Sequence, residues 1–308
     1  MTRNKVLFGI LFSFTLLLGA PCSAAEIHEN YVFEGWPAES QVAAWSKLPA
    51  KHSFVLNLGD PDAYALRNVS KLENAQRVQI EVASFPREDT LHEWKQLAKK
   101  GVEFIALDAG LPTEEEVKRL NEIDFPKLTF VLTKLPMTEE CQRLSAIQGK
   151  VSLIFALGVY PRFSEKPVYL AIPSYITLTF AADYWPWYSH MDVLNMIPHK
   201  INIRVSGSFP PDANMPYILN IKRLSEITIE TDFDPSDQSI WNQFQEHQVK
   251  WANKGRVPSS PSLKAFEESE TPAGNRKLII DSDYPLQAEE KSRLTASPLD
   301  VEWVHTAP

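Results

Sequence analysis

The sequence predicts a right-handed parallel β/α solenoid, a horseshoe of about eleven units of 24 to 25 residues each. Eleven prolines recur at intervals of 23 to 27 residues, at positions 37, 61, 86, 112, 136, 161, 186, 210, 235, 258 and 285. A short segment of alternating apolar residues precedes most of these prolines, and a segment with helical spacing follows many of them. Such a fixed period is typical of arrays in which each unit buries its apolar face against its neighbours.

Residues 1–25 form a separate segment that predicts a secretory signal peptide. Arg3 and Lys5 precede an apolar stretch over 6–18, and small residues follow, ending in Ala24 and Ala25. Cleavage after either alanine leaves no second long apolar stretch, so we expect no transmembrane segment in the mature chain. The protein is therefore expected to be exported, either to a periplasm or to the outside of the cell.

The alternating segments predict strands that bury one face. Their apolar positions are Phe54/Leu56/Leu58, Val78/Ile80/Val82, Leu128/Phe130/Leu132, Leu153/Phe155/Leu157, Ile176/Leu178/Phe180, Ile201/Ile203/Val205 and Ile227/Ile229. The positions between them are mixed to polar, which predicts that the other face of the sheet meets water.

Each proline is expected to end a strand and to open a helix, because it cannot donate a ladder hydrogen bond and suits the first helical turn. A large apolar residue precedes most of the prolines, as at Phe85, Leu135 and Trp185. We expect these side chains to form a buried, stacked row. Helix starts are predicted after Thr113 and Thr138, where carboxylates fill the first turn.

The polar segment around 250–275 is predicted to be a loop-expanded repeat, an irregular insertion in one repeat domain that spans 26–308. The chain has 31 Lys and Arg against 39 Asp and Glu, a net charge of −8, and loss of Arg3 and Lys5 makes this −10 (29 − 39). An acidic chain disfavours nucleic acid as a partner. After cleavage only Cys141 remains, which predicts no disulfide within the chain and a small buried side chain.

A unit of 24 to 25 residues made of strand, turn and short helix resembles the leucine-rich-repeat solenoids, most clearly over Val78 to Pro86 and Leu128 to Pro136. The resemblance implies an open horseshoe with a concave sheet face. The positions where that family carries a ladder of asparagines hold Ala83, Ala109, Thr133, Gly158 and Ser206. The alternative architecture is a closed (β/α)8 barrel, since eight strands at this spacing suffice to close one.

The sequence shows no motif that indicates a metal or a cofactor. None of the seven histidines has a metal-ligand spacing, and no glycine-rich phosphate loop is present. Aspartates do follow the predicted strands, where a barrel would bring them to its catalytic face, and these candidates are Asp60, Asp108, Asp183 and Asp232. The competing interpretation is that they form turns and caps.

Two functions are consistent with these patterns. The first is a binding or scaffold protein that holds a protein or peptide on its concave face, through Glu81, Glu103, Thr177, Thr179, Asn202, Arg204 and Glu230. Trp187 and Tyr188 in an aromatic turn are added to this site, because exposed aromatic residues are typical of interfaces and sugar-binding surfaces. The second is a secreted hydrolase on a closed barrel that uses the strand-end aspartates.

Overall fold

The computed structural model shows a closed barrel of twelve parallel strands, each connected to the next by a helix on the outside. It describes residues 27–48, 52–207, 209–210, 214–244 and 247–307. The predicted signal peptide lies outside these described residues. The barrel closes because the first strand pairs with the last as well as with the second.

The strands are short, as is usual for parallel β/α units. They are β1 Ile27–Glu34, β2 Ser53–Gly59, β3 Arg77–Val82, β4 Glu103–Leu107, β5 Leu128–Leu132, β6 Val151–Phe155, β7 Thr177–Ala182, β8 Ile201–Ser206, β9 Leu224–Thr231, β10 Gln248–Lys254, β11 Arg276–Asp281 and β12 Asp300–Thr306.

The connecting helices are α1 Glu39–Trp45, α2 Ala63–Ser70, α3 Leu91–Lys99, α4 Glu114–Ile123, α5 Thr138–Arg143, α6 Lys166–Ala171, α7 Tyr188–Met196, α8 Met215–Leu219, α9 Gln238–Asn242, α10 Ser260–Glu267 and α11 Ala288–Ala296. Short 3-10 turns lie at Glu88–Thr90, Leu144–Ala146, Phe163–Glu165 and Ala273–Asn275. The predicted capping at Thr113 is present, since its side chain accepts a hydrogen bond from the Glu116 amide.

The open horseshoe predicted from the sequence is wrong, and the closed barrel that was the alternative fits the structure, with twelve strands in place of eight. The eleven recurring prolines follow β1 to β11, so they count the crossovers, and β12 needs none. Strand twist and tilt bring β12 back beside β1, where six residue pairs from Ile27/Val301 to Val32/Thr306 are in register.

The main apolar core lies between the barrel and the surrounding helices. The apolar alternate positions of the strands face outward into it, and Leu56, Ile80 and Phe130 are fully buried there. The ring of Phe85 packs 5.9 Å from that of Phe130 and 6.4 Å from that of Phe104. The sequence pattern therefore identified the buried face correctly, and this face is the outside of the barrel wall.

The opposite strand face is enclosed by the barrel, so the expectation that it meets water is wrong. Gln79, Glu81, Thr129 and Thr179 are all buried, although no helix covers them. A twelve-stranded barrel is about 1.5 times as wide as an eight-stranded one, because barrel diameter grows roughly in proportion to strand number. The extra width accommodates long charged side chains.

The row of large residues before the prolines is buried over most of the barrel but not at both ends of the chain. Phe85, Tyr160 and Trp185 are buried, and Leu135 is partly buried. Trp36 is 52% exposed, and its indole N–H donates a hydrogen bond to the Leu58 carbonyl at 2.9 Å. Tyr284, in the last such position, is 76% exposed.

The segment over 250–275, which was expected to be an irregular insertion, contains most of β10, all of α10 and a 3-10 turn. Asp234 ties it to the preceding unit, because its carboxylate accepts from the Ser259 amide at 3.2 Å. Several polar residues of this segment, among them Asn253, Ser262 and Thr271, are buried.

The closed fold predicts a compact shape. We expect a radius of gyration of about 19 Å for a monomer of this length, as for compact domains of this size. Small-angle X-ray scattering measures this value, and an open arc would give a clearly larger one.

Deleting β12 should open the barrel and remove cooperative unfolding, whereas an open solenoid would lose only its last unit.

The contrast between buried and exposed pre-proline residues gives a second test. Phe85→Ala should lower the free energy of unfolding by about 3 to 5 kcal/mol, because it leaves a cavity between aromatic rings. Tyr284→Ala occupies the equivalent position in another unit and should change it by about 0.5 kcal/mol or less. Urea denaturation of both variants checks the prediction, and equal losses would contradict it.

Candidate functional site

The amino-terminal half of the barrel interior is filled by ion pairs. Glu103 on β4 accepts two hydrogen bonds from the guanidinium of Arg77 on β3, at 2.7 and 2.8 Å, and lies 3.5 Å from Nζ of Lys127. Burial opposes ionisation of this carboxyl, but Arg77 and then Lys127 hold the pKa of Glu103 below its ordinary value. Glu103 is therefore a fixed carboxylate with its charge neutralised.

Other buried interior carboxylates are paired in the same way. Lys250 lies 2.8 Å from Glu226, and Lys277 lies 2.8 Å from Glu302. Glu302 also accepts a hydrogen bond from the Asn30 side chain. Pairing of this kind is expected, because a buried charge without a partner is strongly destabilising.

A further ion-pair cluster lies on the carboxyl-terminal side, across β8 to β11. Arg204 and Lys254 both contact Glu230, with Lys254 Nζ 2.9 Å from its carboxylate, and Ser206 donates to the same group at 2.7 Å. Burial opposes ionisation of Glu230, but the two cations hold its pKa below the ordinary range. Burial raises the pKa of neighbouring Asp281, and the charges of Glu230 and Asp283 add to the increase.

Glu81 on β3 differs from the ion-paired carboxylates. It is 4% exposed, and no cation pairs with it within the part of the chain that the structure describes. Burial, followed by the negative charge of Glu34, raises its pKa to about 8. Glu81 is thus a carboxylic acid that keeps its proton at neutral pH inside the barrel.

Glu34 lies beside Glu81 with one strand between them. Glu34 is in register with Asn57 on β2, and Asn57 is in register with Glu81. One intervening strand separates the two backbones by about 10 Å, and both side chains are directed to the same end of the interior. Glu34 is exposed to solvent at the mouth, so the two carboxyl groups experience very different surroundings.

The structure of β2 shapes this corner of the mouth. The pairing of β2 with β3 shifts between Asn57 and Gly59, a local irregularity just before the last pair of the ladder, Gly59 with Val82. Gly59 has a φ of 65°, which lets the chain turn outward to Asp60 without steric strain. Asn57 therefore stays directed inward, between the two glutamates.

The interior is layered, as in smaller parallel barrels. The register around the barrel places Glu81 at about the level of residues from the other odd-numbered strands, namely Val32, Val131, Ala181, Glu230 and Asp281. Two apolar patches interrupt the charged residues of the inner wall. One patch holds Ile105, Val131 and Ile154, and the other holds Ala252, Ile279 and Val304. Above this layer Ala156 and Ser206 are small and partly exposed.

The strand-end aspartates lie around the rim of the mouth, and Asp60 and Asp108 are each tied to the turn of the next unit. Asp60 accepts a hydrogen bond from Ser84 at 2.7 Å and pairs with Arg87 at 3.1 Å. Asp108 has a positive φ of 54° and accepts from the Thr133 hydroxyl. Each bond connects one strand end to the next, so these aspartates supply the link that an asparagine ladder would provide.

The other strand-end candidates, Asp183 and Asp232, are exposed at the rim. Among the described residues, no group of three or more His, Cys, Asp and Glu side chains is placed to hold a metal ion. The four strand-end candidates therefore do not converge on one reacting point. Cys141 is buried in the outer core, and burial raises the pKa of its thiol to about 12.

The residues expected on a concave binding face lie inside the barrel. Thr177, Thr179 and Asn202 line its wall, together with the ion-paired Glu103, Arg204 and Glu230. A protein partner cannot reach this face, because the closed sheet surrounds it. Trp187 and Tyr188 are 57% and 65% exposed and lie outside, in the turn after β7.

Glu34 belongs to none of the sequence patterns that predict a site. Asn30, Val32 and Glu34 are every second residue of β1 and share one face of the strand, which could have indicated an inward position for Glu34. The proximity of Glu34 to Glu81 depends on strand register. No family model and no curated protein matches the chain. None of the helices in the described segments has the length and apolar composition needed to cross a bilayer.

The unpaired state of Glu81 predicts how stability depends on pH. Its pKa of about 8 in the folded protein exceeds that of the unfolded chain, so wild-type stability should fall as pH rises from about 4.5 to 8. Glu81→Gln removes this penalty, and its free energy of unfolding at pH 8 should exceed that of wild type by about 1 kcal/mol or more. The difference should vanish below about pH 5, which urea unfolding across this range measures.

Glu103→Gln is the matched control in the same barrel. Its pKa is lowered in the folded state, so the carboxylate stabilises the protein above the unfolded pKa. This variant should be less stable than wild type at pH 7, and the difference should shrink as the pH falls below about 4. A loss of stability in Glu81→Gln that is the same at every pH would show that Glu81 is not protonated in the folded state.

Proposed function

We propose that the protein is an exported hydrolase whose reaction takes place at the carboxyl-terminal mouth of the barrel, with Glu81 as the general acid and Glu34 as its carboxylate partner. The observation that carries the proposal is that Glu81 is buried, has no cation partner in the described chain and lies one strand away from a solvated glutamate. Two carboxyl groups whose surroundings drive their proton affinities apart are the usual basis of acid–base catalysis.

The chemistry follows from the two environments. Glu81 holds a proton and can donate it to the leaving-group oxygen as the scissile bond breaks. Glu34 is exposed to water and can take a proton from the attacking water molecule, whose oxygen forms the new bond. One water is consumed: its hydroxyl group joins the attacked centre, its second proton is held by Glu34, and the other product carries the proton given by Glu81. Exchange with solvent then returns the proton from Glu34 to Glu81.

The position in the fold supports the same conclusion. In parallel β/α barrels the loops that follow the strands meet at the carboxyl-terminal end, and active sites are assembled there. Glu34 ends β1 and Glu81 lies one residue before the end of β3. The backbones of Glu34 and Glu81 are about 10 Å apart with Asn57 of β2 between them, so the three residues occupy the same corner of the mouth. The strand-end aspartates contribute to the shape of the rim in this proposal.

Hydrolysis of chromogenic and alkyl substrates tests the proposal. Wild-type protein is assayed on nitrophenyl and methyl versions of glycosides, carboxylic esters and phosphate esters between pH 4 and 9. Glu34→Gln should lower kcat by about 100-fold or more on both versions of the substrate that is cleaved. Glu81→Gln should lower kcat more for the methyl version than for the nitrophenyl version, because nitrophenolate leaves without a proton. Activity should decline above about pH 8, as Glu81 loses its proton.

Glu226→Gln is the control for general damage to the interior, since Glu226 is an interior carboxylate near the amino-terminal end of β9. It should leave kcat within about twofold of wild type if it folds. The absence of hydrolysis of all three substrate classes would overturn the proposal. So would equal losses from Glu81→Gln on the two versions of a substrate.

A further inference from the structure

Exposed aromatic side chains are concentrated at the end of the barrel that holds the glutamate pair. Twelve large apolar side chains are exposed in the described part of the chain, and all except Leu170, Tyr175 and Met196 follow a strand directly or lie at the start of the next helix. The nine at the mouth are Met137 and eight aromatic residues, which are Trp36, Tyr64, Phe163, Trp187, Tyr188, Tyr217, Phe233 and Tyr284. We call this set the aromatic collar.

Several members of the collar are held in fixed orientations. The indole N–H of Trp36 is used by the Leu58 carbonyl, so the ring can offer a ligand only its face and edge. Tyr188 of α7 and Tyr217 of α8 meet edge to face at 5.5 Å. Phe233 packs against Phe209 at 5.9 Å. Preorganised rings of this kind lose little entropy when a ligand stacks on them.

The charge around the collar restricts what can bind there. The same loops carry Asp60, Asp108, Asp183, Asp232 and Asp283, and the whole chain has a net charge of −8. Nucleic acid, anionic polysaccharides and the anionic surface of a membrane would be repelled by this rim. A neutral polyhydroxylated ligand suits it, because carboxylates accept hydrogen bonds from hydroxyl groups and aromatic faces pack against apolar C–H surfaces.

We infer that the aromatic collar is the binding platform for a neutral carbohydrate chain, which it presents to Glu34 and Glu81. This inference rests on the proposed hydrolase and names its substrate class. The bond broken is then a glycosidic bond: Glu81 protonates the departing sugar oxygen, and water activated by Glu34 adds to the anomeric carbon. A pair of carboxyl groups, one buried and one solvated, is the arrangement that this reaction uses.

Binding is measured without turnover, in the Glu34→Gln background. The probes are hexamers of glucose with β-1,4 or α-1,4 linkages and the β-1,4 hexamer of N-acetylglucosamine. Trp36 and Trp187 are the most exposed tryptophans of the described chain, so protection of tryptophan fluorescence from acrylamide quenching reports contact with the collar. At least one hexamer should protect it, and isothermal titration should give a matching affinity.

Trp36→Ala and Trp187→Ala should each weaken binding of that hexamer by about tenfold, the loss expected when one stacked aromatic residue is removed. Tyr175→Ala is the matched control, because Tyr175 is 63% exposed but precedes β7 at the opposite end of the barrel. It should leave the affinity unchanged. An equal loss in all three variants would overturn the inference.

Competing occupants are tested with the same readout. Binding to anionic lipid vesicles or to a polylysine peptide, but to none of the three hexamers, would overturn the carbohydrate assignment. Comparing hexamer binding with substrate cleavage distinguishes the carbohydrate platform from the hydrolase. A hexamer that binds the collar, together with no hydrolysis of any of the three substrate classes by wild-type protein, would retain the platform and remove the hydrolase. Cleavage of esters or phosphates without binding of any hexamer would retain the hydrolase and remove the substrate class.

Discussion

Backbone hydrogen bonding between β1 and β12 is the constraint on which the rest of this structure depends. It closes the sheet, and closure converts one complete face of twelve strands from a surface into an interior. The polar residues on that face are therefore removed from bulk water, although no second layer of structure covers them. An open arc with the same strands would leave Glu103, Arg204 and Glu230 hydrated, and their pairing would matter little to stability.

Enclosure explains why the interior is a network of ion pairs. A twelve-stranded barrel is too wide to be filled by short branched side chains alone, and long charged side chains reach further toward its axis. Each buried carboxylate then needs a cation, as the contacts of Glu226 with Lys250 and of Glu302 with Lys277 show. Against this background an unpaired buried carboxyl such as Glu81 is costly to retain, and functional sites are where such groups concentrate.

Parallel strands give the barrel two unlike ends. All the helix amino termini lie at the mouth, where the positive ends of their dipoles favour acidic residues, and all the turns after the strands lie there too. Turn aspartates, helix-capping groups such as Thr113 and exposed rings such as Trp187 are consequently collected on one rim. Local rules that act separately in each unit thus produce a single functional end of the molecule.

The local residue pattern determined the strand–turn–helix units, and the strand topology determined that they form a closed barrel. The period of the prolines, the apolar alternation that buries Leu56, Ile80 and Phe130, and the turn positions of Asp60 and Asp108 follow from residues a few positions apart, so they could be predicted from the sequence. Closure could not, because the tilt and twist that return β12 to β1 accumulate over all twelve strands. The proximity of Glu34 to Glu81 depends on the local register of β1, β2 and β3, since the two residues are 47 positions apart in the chain (81 − 34). The sequence by itself determined which strand positions alternate, and only the tertiary structure decided that the polar set would be enclosed, because burial is a property of the closed surface and not of any single strand.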